Sequence, residues 1–442
     1  MFSKRQLWGL LIPLIIEQLL NSLMGTADTM MVSRAGSAAI SAVSLVDAIN
    51  VLIILVFSAM ATGGASICAQ YIGRKQADRA TETGKQLLLT VASLSVAVML
   101  ILILFRNGLL RLIFGKVEAD VMENALVYLF ITALSYPFIG LYNAGAALFR
   151  VCGNSRLPMV ISLVCNLVNI AGNAFLIFGL NMGVAGAALA TLVSRVLCGV
   201  AVLAFLRLPH QAIVIRKFGA RPDLPLIRNI LSIGLPSGME NGMFQFGKLV
   251  IQSTVSTMGT VAIAAQAMTS ALEGVTSNAP VGVGLGMMTV AGQCMGAGKV
   301  EEAKKSIAKL TFYGGIATLI SCAVIALLVR PITVIGGMEA EAAQMCVRLS
   351  LLICVVKPLF WPLSFLPAYG MRAAGDVRFS MILSSVTMWV CRVAITIALV
   401  KFFEMGPLAV WLGMFADWAV RSGFFFWRYK SGKWAQKAVI RE

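Results

Sequence analysis

The stretch from Ile12 to Gly36, IPLIIEQLLNSLMGTADTMMVSRAG, decides the fold because it is an apolar helix of membrane length with two carboxylates inside it. An ionisable group within a membrane span costs roughly 2.5 to 3.5 kcal/mol on insertion scales, so Glu17 and Asp28 need a functional reason to be there. At about 100° per residue, Asn21 lies about 40° round the helix from Glu17, and Asp28 lies about 20° round. One face therefore carries all three polar side chains, and we expect it to line a bundle interior or a water-filled cavity.

The rest of the chain is equally apolar. Hydrophobic residues make up 59% of the 442 residues, charged residues make up 12%, and the mean hydropathy is +0.88. These values indicate an all-α polytopic membrane protein. With about 20 residues per span, the chain accommodates about twelve helices. We predict them near residues 7–32, 39–71, 87–105, 124–149, 158–179, 183–206, 227–258, 262–290, 307–329, 345–370, 379–403 and 407–428.

The basic residues are distributed as a topology signal. One set of alternate loops, together with both terminal segments, holds 24 Lys and Arg, whereas the other loops hold six. This asymmetry predicts that both termini lie in the cytoplasm, which agrees with an even number of spans. The net charge of +17 is therefore explained without a nucleic-acid partner.

Enzymatic and metal-binding motifs are sparse in this sequence. His210 is the only histidine and is expected in a loop, which removes the commonest acid–base residue from any enzyme hypothesis. The nine cysteines show no CxxC spacing, so neither a disulfide framework nor a metal site is expected. The basic start followed by an apolar run is typical of a signal peptide, but that run continues past Glu17 without a cleavage pattern and is kept as the first span. We predict no cofactor.

An internal repeat sets the domain organisation. A constant shift of 223 residues aligns Pro13 with Pro236 and Glu17 with Glu240, and it continues ungapped through further identities: Gly36 with Gly259, Gly63 with Gly286, Gln70 with Gln293 and Ala80 with Ala303. The predicted domains are an N-terminal six-helix bundle (1–206), a cytoplasmic linker (207–226) and a C-terminal six-helix bundle (227–442). Six spans is an even number, so the two repeats are parallel, a plan that recurs in secondary transporters.

Amides are concentrated in the predicted fifth span. Asn166, Asn169 and Asn173 follow an i, i+3, i+7 spacing and share one helix face. Hydrogen bonding between helices is the ordinary role of such residues, and a binding site is the alternative. Both interpretations stay open on the sequence alone.

Carboxylates and amides also recur in the second repeat. Gln245 and Lys248 lie on one face of the seventh span, and Lys248 could be an internal ion partner of Glu240. Glu273 is equivalent to Asn50 under the 223-residue shift. Carboxylate and carbonyl oxygens suit a hard cation or a proton, so these positions are candidates for a cation-coupled site.

With these residues in view, the chain resembles the multidrug and toxic compound extrusion (MATE) family over nearly its whole length. The resemblance rests on the order of several short patterns: Pro13 to Gly36 with Ala27-Asp28-Thr29, Gln70-x-x-Gly73, Leu148-Phe149-Arg150-x-x-Gly153-Asn154, Asn169-x-x-x-Asn173, Gly183-Val184-Ala185-Gly186-Ala187-Ala188 and Gly234-Leu235-Pro236-Ser237-Gly238. It implies a twelve-helix, V-shaped antiporter that exports organic cations or related compounds against Na⁺ or H⁺.

The resemblance also implies roles for single residues. Asp28 falls on the first-span acid of the family and Asn169 on its fifth-span asparagine, while Asn173 stands where many members have aspartate. One branch of the family has two acidic residues in its second half. Their positions correspond to residues near Phe244 or Gln245 and near Trp361 in this sequence, none of which is acidic. Glu240, about one turn earlier, is a hypothetical substitute.

These observations lead to one candidate set and one preferred ion. The predicted cation- and substrate-binding residues are Glu17, Asn21, Asp28, Asn166, Asn169, Asn173, Glu240, Gln245 and Glu273. Asn173 cannot ionise and offers a neutral oxygen beside Asp28, which favours Na⁺ over H⁺ at a site made of Asp28, Asn169 and Asn173. Glu17 and Glu240 keep the proton alternative open, since either could titrate in an apolar setting.

Two function classes remain as expectations. The first is a cation-coupled antiporter for organic cations, drugs or other amphipathic compounds, acting as a monomer in the plasma membrane and contacting lipid. The second is a flippase for a lipid-linked precursor within the same superfamily, which would favour a strongly cationic cavity. The sequence candidates are acids and amides, so the antiporter is preferred. A channel or membrane enzyme fits less well, because a pore does not need two rocking repeats.

Overall fold

The computed structural model describes residues 2–33, 36–115, 117–209, 211–219 and 221–436, so His210 lies outside the described residues. The described residues are mostly helical and contain no strand. Its helices are α1 (Lys4–Ser33), α2 (Ser37–Gly73), α3 (Ala77–Phe114), α4 (Ala119–Leu134), α5 (Tyr136–Val151), α6 (Arg156–Asn173), α7 (Gly183–Phe205), α8 (Leu224–Val255), α9 (Thr260–Gly296), α10 (Val300–Ile335), α11 (Ala340–Ala373), α12 (Val377–Thr387), α13 (Ile395–Phe403) and α14 (Leu408–Ser431).

These helices form twelve rods of membrane length within the described residues. Helices α4 and α5 make one rod that is bent by 44° at Ser135. A π-helical segment, Ala174–Gly179, extends α6, and a second, Met388–Ala394, joins α12 to α13. Eight helices meet a strict test of length and hydropathy, and the bent pair makes nine. Helices α8, α9 and α14 are also long enough to cross a bilayer, but polar residues lower their hydropathy. The chain is a multi-pass membrane protein, and the predicted all-α fold is confirmed.

The backbone repeats as the sequence does. Gly36 and Gly259, which are 223 positions apart, precede α2 and α9 with φ values of 110° and 92°. Gly153 and Gly375 likewise adopt φ values of 85° and 99° before α6 and α12. Only glycine adopts these positive φ values without strain. The same turn therefore requires glycine at the equivalent position in both halves.

Contacts divide the chain into two compact units. The N-unit comprises Lys4–Pro13 and the described part of Leu20–Gly238, and the C-unit comprises residues 2–3, Leu14–Leu19 and the described residues from Met239 onward. Within the C-unit, a Cβ on Gly282 would lie 2.9 Å from the Ile15 Cα, so α9 needs glycine where α1 crosses it. The boundaries predicted from the repeat, at 206 and 227, are a different division and remain a prediction.

Candidate functional site

In the N-unit, Asp28 of α1 lies against Asn169 and Asn173 of α6. The Asn173 amide nitrogen donates a hydrogen bond to Asp28 Oδ1. With its amide nitrogen turned toward the carboxylate, Asn169 donates to the two Asp28 oxygens at 2.7 and 3.2 Å. The other end of that amide is 3.3 Å from the Thr191 hydroxyl on α7. The structure thus brings the three predicted ion-site residues together, and we call them, with Thr191, the Asp28 cluster.

Local helix geometry positions the two asparagines. One helical turn separates Asn169 from Asn173, so both side chains point to the same side of α6. Both are buried, with 9% and 1% of their surfaces exposed. The π-helical segment starts at Ala174, directly after Asn173. Such segments are rare and frequently occur at functional sites. The change of helix geometry therefore lies at the edge of the Asp28 cluster.

A second carboxylate lies beside the Asp28 cluster. Asp47 of α2 interacts electrostatically with Asp28, and its Oδ1 accepts hydrogen bonds from Asn50 at 3.1 Å and from the Tyr128 hydroxyl at 3.2 Å. Tyr136 donates at 2.6 Å to the Asn50 carbonyl oxygen. Arg195 interacts electrostatically with both carboxylates. Two acids and one base leave a net charge of −1 on this group when all three are ionised.

Two other predicted residues have a simpler role. The Asn21 carbonyl oxygen accepts hydrogen bonds from the Ser162 hydroxyl at 2.9 Å and from the Asn166 amide at 3.0 Å. Asn166 also lies 3.3 Å from Ser162. These bonds tie α1 to α6, and the interhelical interpretation therefore fits Asn21 and Asn166 better than a binding role.

Glu17 is separated from the Asp28 cluster. It is buried with 2% exposure, and its segment Leu14–Leu19 belongs to the C-unit, whereas Asp28 belongs to the N-unit. The polar face predicted on α1 thus has members in both units, and its role as one site stays a prediction.

Glu240 and Gln245 do not form the predicted second-half cation site. Glu240 Oε1 accepts from Arg372 at 2.7 Å, so its partner is Arg372 of α11 and not Lys248. Gln245 is half-buried and forms no hydrogen bond among the described residues. The carboxylate of Glu240 is thus already paired with a cation of the protein, which does not fit the hypothesis that it is a cation-binding acid.

Glu273 is also paired. The fully buried ammonium of Lys357, on α11, donates to Glu273 Oε1 at 2.5 Å. It also lies 2.6 Å from the Thr276 hydroxyl and 2.7 Å from the Ser277 hydroxyl. A cation bound at Glu273 would have to replace Lys357. This contact corrects the assignment of Glu273 to the cation site.

A second ionic group lies in the same unit. Asp417 of α14 forms ion pairs with Arg392 at 3.2 Å and with Arg421 at 3.0 Å. Arg392 belongs to the π-helical segment that joins α12 to α13. Its guanidinium carbon lies 4.7 Å from the centre of the Phe244 ring. Arg392 and Lys248 both interact electrostatically with Glu273, so the two ionic groups form one network, which we call the C-unit network.

Comparison with known proteins identifies the fold and the family. The family model of MatE matches residues 13–175 and 236–397, two segments that begin 223 positions apart, as the internal repeat does. The chain belongs to the MatE family. This confirms the resemblance found in the sequence and makes the protein a member of a transporter family.

Individual relatives cover almost the whole MatE chain. It is 25% identical to the "Probable multidrug resistance protein NorM" of Thermotoga maritima, over 99% of this chain and 94% of the relative. It is 26% identical to the "Uncharacterized transporter YisQ" of Bacillus subtilis, over 98% of this chain and 95% of the relative. A solved structure of a multidrug resistance MATE family transporter in an outward-facing conformation superposes with a TM-score of 0.90, at 22% identity over 97% of this chain and 96% of that one.

Several charged residues within the helices of this MatE protein were not predicted as functional from the sequence. These residues are Asp47, Arg195, Lys357, Arg392, Asp417 and Arg421. The sequence contains a pattern that points to the basic ones. Of the 36 Lys and Arg residues, 30 fall in the loops and terminal segments counted for topology, and six do not. Those six basic residues lie within helices, and applying the cost of intramembrane charge to every span would have singled them out.

Proposed function

We propose that this protein is a cation-coupled antiporter that exports organic cations, drugs or related amphipathic compounds, with Na⁺ bound at the Asp28 cluster. Its family consists of transporters, and its relative in Thermotoga maritima carries the name "Probable multidrug resistance protein NorM". A role in transport agrees with buried polar clusters in long helices. On this proposal the protein is not an enzyme.

One observation carries the proposal. Among the described residues, Asp28 forms no ion pair and its hydrogen bonds come from two neutral amides. The Asn173 carbonyl oxygen is buried and accepts no hydrogen bond within the described chain. A charged carboxylate beside an unused buried oxygen is a site of negative potential. A monovalent hard cation, which prefers oxygen ligands, would satisfy both groups.

The acids of the second half favour Na⁺ over H⁺. Glu240 and Glu273 are both held in ion pairs, by Arg372 and Lys357, so neither is a free carboxylate for a proton, and Glu17 is the remaining acid for the proton alternative. Asn173 cannot take up a proton. Coupling by Na⁺ needs only the oxygens of the Asp28 cluster. When the ion binds, the side-chain amides of Asn169 and Asn173 would turn so that their carbonyl oxygens face it.

The test uses purified protein in proteoliposomes loaded with a cationic rhodamine ester. We expect an imposed Na⁺ gradient, at equal pH on both sides and with the membrane potential clamped, to drive the dye against its gradient. A pH gradient at equal Na⁺ is the comparison. Full drive from the pH gradient together with no response to Na⁺ would reject the assignment of the ion.

The location follows the same proposal. We infer a monomer in the plasma membrane, with lipid as its surroundings and both termini in the cytoplasm, because the basic loops predict that orientation. Single cysteines placed in the segment before α1 and in the segment after α14 test it. Both should be shielded from a membrane-impermeant thiol reagent in intact cells and react after lysis, and labelling of either in intact cells would contradict the orientation.

One observation favours the second function class, a flippase. The C-unit network contains four basic and two acidic residues, so this part of the protein is cationic, contrary to the acid and amide candidates from the sequence. A flippase would move a fluorescent polyprenyl phosphate between leaflets of the same proteoliposomes. Movement of that lipid with no export of the rhodamine ester would favour this alternative.

A further inference from the structure

The charges of the C-unit network do not balance. Its basic members are Lys248, Lys357, Arg392 and Arg421, and its acids are Glu273 and Asp417. With all six ionised, the network carries a net charge of +2. Buried charges are normally paired, because an uncompensated charge in a low dielectric is costly. The imbalance therefore indicates room for a further negative charge.

The hydrogen-bond donors point to the same conclusion. Asp417 is the only carboxylate paired with Arg392 and Arg421 among the described residues, and the Nε–H groups of both arginines are buried without an acceptor there. Arg392 and Arg421 are 3% and 1% exposed. Most buried donors in proteins have an acceptor, and the exceptions require an explanation. An anion that binds next to these groups would supply the missing acceptors.

Lys248 connects the C-unit network to the surface of the protein. Its side chain is exposed, and no described carboxylate lies within ion-pair distance of its ammonium. The ammonium lies 5.4 Å from the centre of the Phe244 ring, and Arg392 lies over the same ring at 4.7 Å. Phe244 therefore connects the exposed cation to the buried one. Its neighbour Phe365, in edge-on contact at 6.4 Å, extends the aromatic surface.

The repeat shows that this polarity is reversed relative to the N-unit. A shift of 222 or 223 residues places Asn169 at Cys391 or Arg392. In the N-unit a neutral amide faces the Asp28 carboxylate, whereas in the C-unit the guanidinium of Arg392, at or next to the equivalent position, faces the Asp417 carboxylate. The group around Asp28 has a net charge of −1 and the C-unit network has a net charge of +2.

We propose that Lys248 and Arg392, which both lie against the Phe244 ring, bind an anionic group, such as a carboxylate, on the amphipathic molecule that the protein exports. This rests on the proposed export function and adds to it the site that binds the negative charge of a zwitterion with an aromatic body. The guanidinium and ammonium bind the anion, and Phe244 and Phe365 contact the aromatic part. The Asp28 cluster is left to the coupling ion.

Binding of a matched pair of dyes to the full-length protein in detergent tests the proposal. One dye is a rhodamine with a free benzoate, and the other is the methyl ester of the same rhodamine. We expect the wild-type protein to bind the acid more tightly than the ester. Loss of one charge-assisted hydrogen bond in Lys248→Gln should weaken binding of the acid about tenfold or more and leave the ester unchanged. Lys248→Arg should retain the preference.

A matched control removes the same charge elsewhere in the C-unit. Lys401→Gln changes an exposed lysine at the end of α13 and should leave the binding of both dyes as in the wild type. Equal affinity of the wild type for the two dyes would overturn the proposal, as would equal weakening of both dyes by Lys248→Gln. The binding assay needs no ion gradient. A failure of ion-driven export in proteoliposomes therefore counts against the proposed function, and a failure of the binding assay counts against this anion site.

Discussion

Breaking the buried pair between Glu273 and Lys357 should destabilise the protein, because the two side chains are structural. In Glu273→Gln the Lys357 ammonium stays fully buried without a carboxylate, and removing one partner of a buried pair costs about 3 to 5 kcal/mol. The hydroxyls of Thr276 and Ser277, at 2.6 and 2.7 Å, still accept from it, so we expect a value near the lower end of that range.

The reverse change should cost less. In Lys357→Met the Glu273 carboxylate keeps a hydrogen bond from Ser277 at 3.1 Å and is 17% exposed. Lys248 and Arg392 also remain near it. We therefore expect a loss of about 2 kcal/mol for this variant, below the usual range for a broken buried pair. The double variant leaves no unpaired charge and should be more stable than Glu273→Gln alone.

Unfolding of the purified protein by denaturant in detergent micelles gives the free energies for this double-mutant cycle. The two single losses sum to about 5 kcal/mol and the double variant should lose less than about 3, so a coupling free energy of more than about 2 kcal/mol between the two sites is expected. Two results would refute the reasoning. One is Glu273→Gln with wild-type stability, and the other is a double variant that is less stable than either single one.

The remaining predictions concern the Asp28 cluster and helix packing. Asp28→Asn should abolish ion-driven export but preserve folding, since removing an unpaired buried charge does not reduce stability; export at the wild-type rate would contradict this. Asn173→Asp should allow a pH gradient to drive export, because two close carboxylates repel each other when both are ionised and therefore share a proton readily; a variant that still does not respond to pH would count against the role of position 173. Gly282→Ala should destabilise the protein through backbone contact with Ile15, whereas Gly274→Ala, with open space around it, should not; thermal unfolding compares them.

Much of the fold could be predicted from the sequence because hydropathy and the repeat act on the whole chain. Runs of apolar residues place nine of the twelve rods to within about five residues at each end, whereas α3, α9 and α10 extend beyond the predicted bounds by up to about ten residues. The positions of Gly36 and Gly259 reflect one required turn. The bend at Ser135 and the two π-helical segments could not be predicted in this way. They change the helix path or register and leave the hydrophobic pattern intact.

The site was predictable only where one helix carried the signal. Asp28, Asn169 and Asn173 stood out because each lies on a polar face within an apolar span. The role of Glu273 could not be inferred, because Lys357 comes from a helix 84 positions away and the first repeat has no lysine at the equivalent position. Knowing which charges pair requires knowing which helices are neighbours.

The most direct test of the central claim is reciprocal flux in proteoliposomes. An outward gradient of the rhodamine ester is imposed at equal Na⁺ and equal pH on both sides, and uptake of radioactive Na⁺ is followed. Antiport through the Asp28 cluster predicts net Na⁺ entry against a rising internal concentration in the wild type and none in Asp28→Asn. Dye leaving the vesicles with no Na⁺ movement in the wild type would contradict the account.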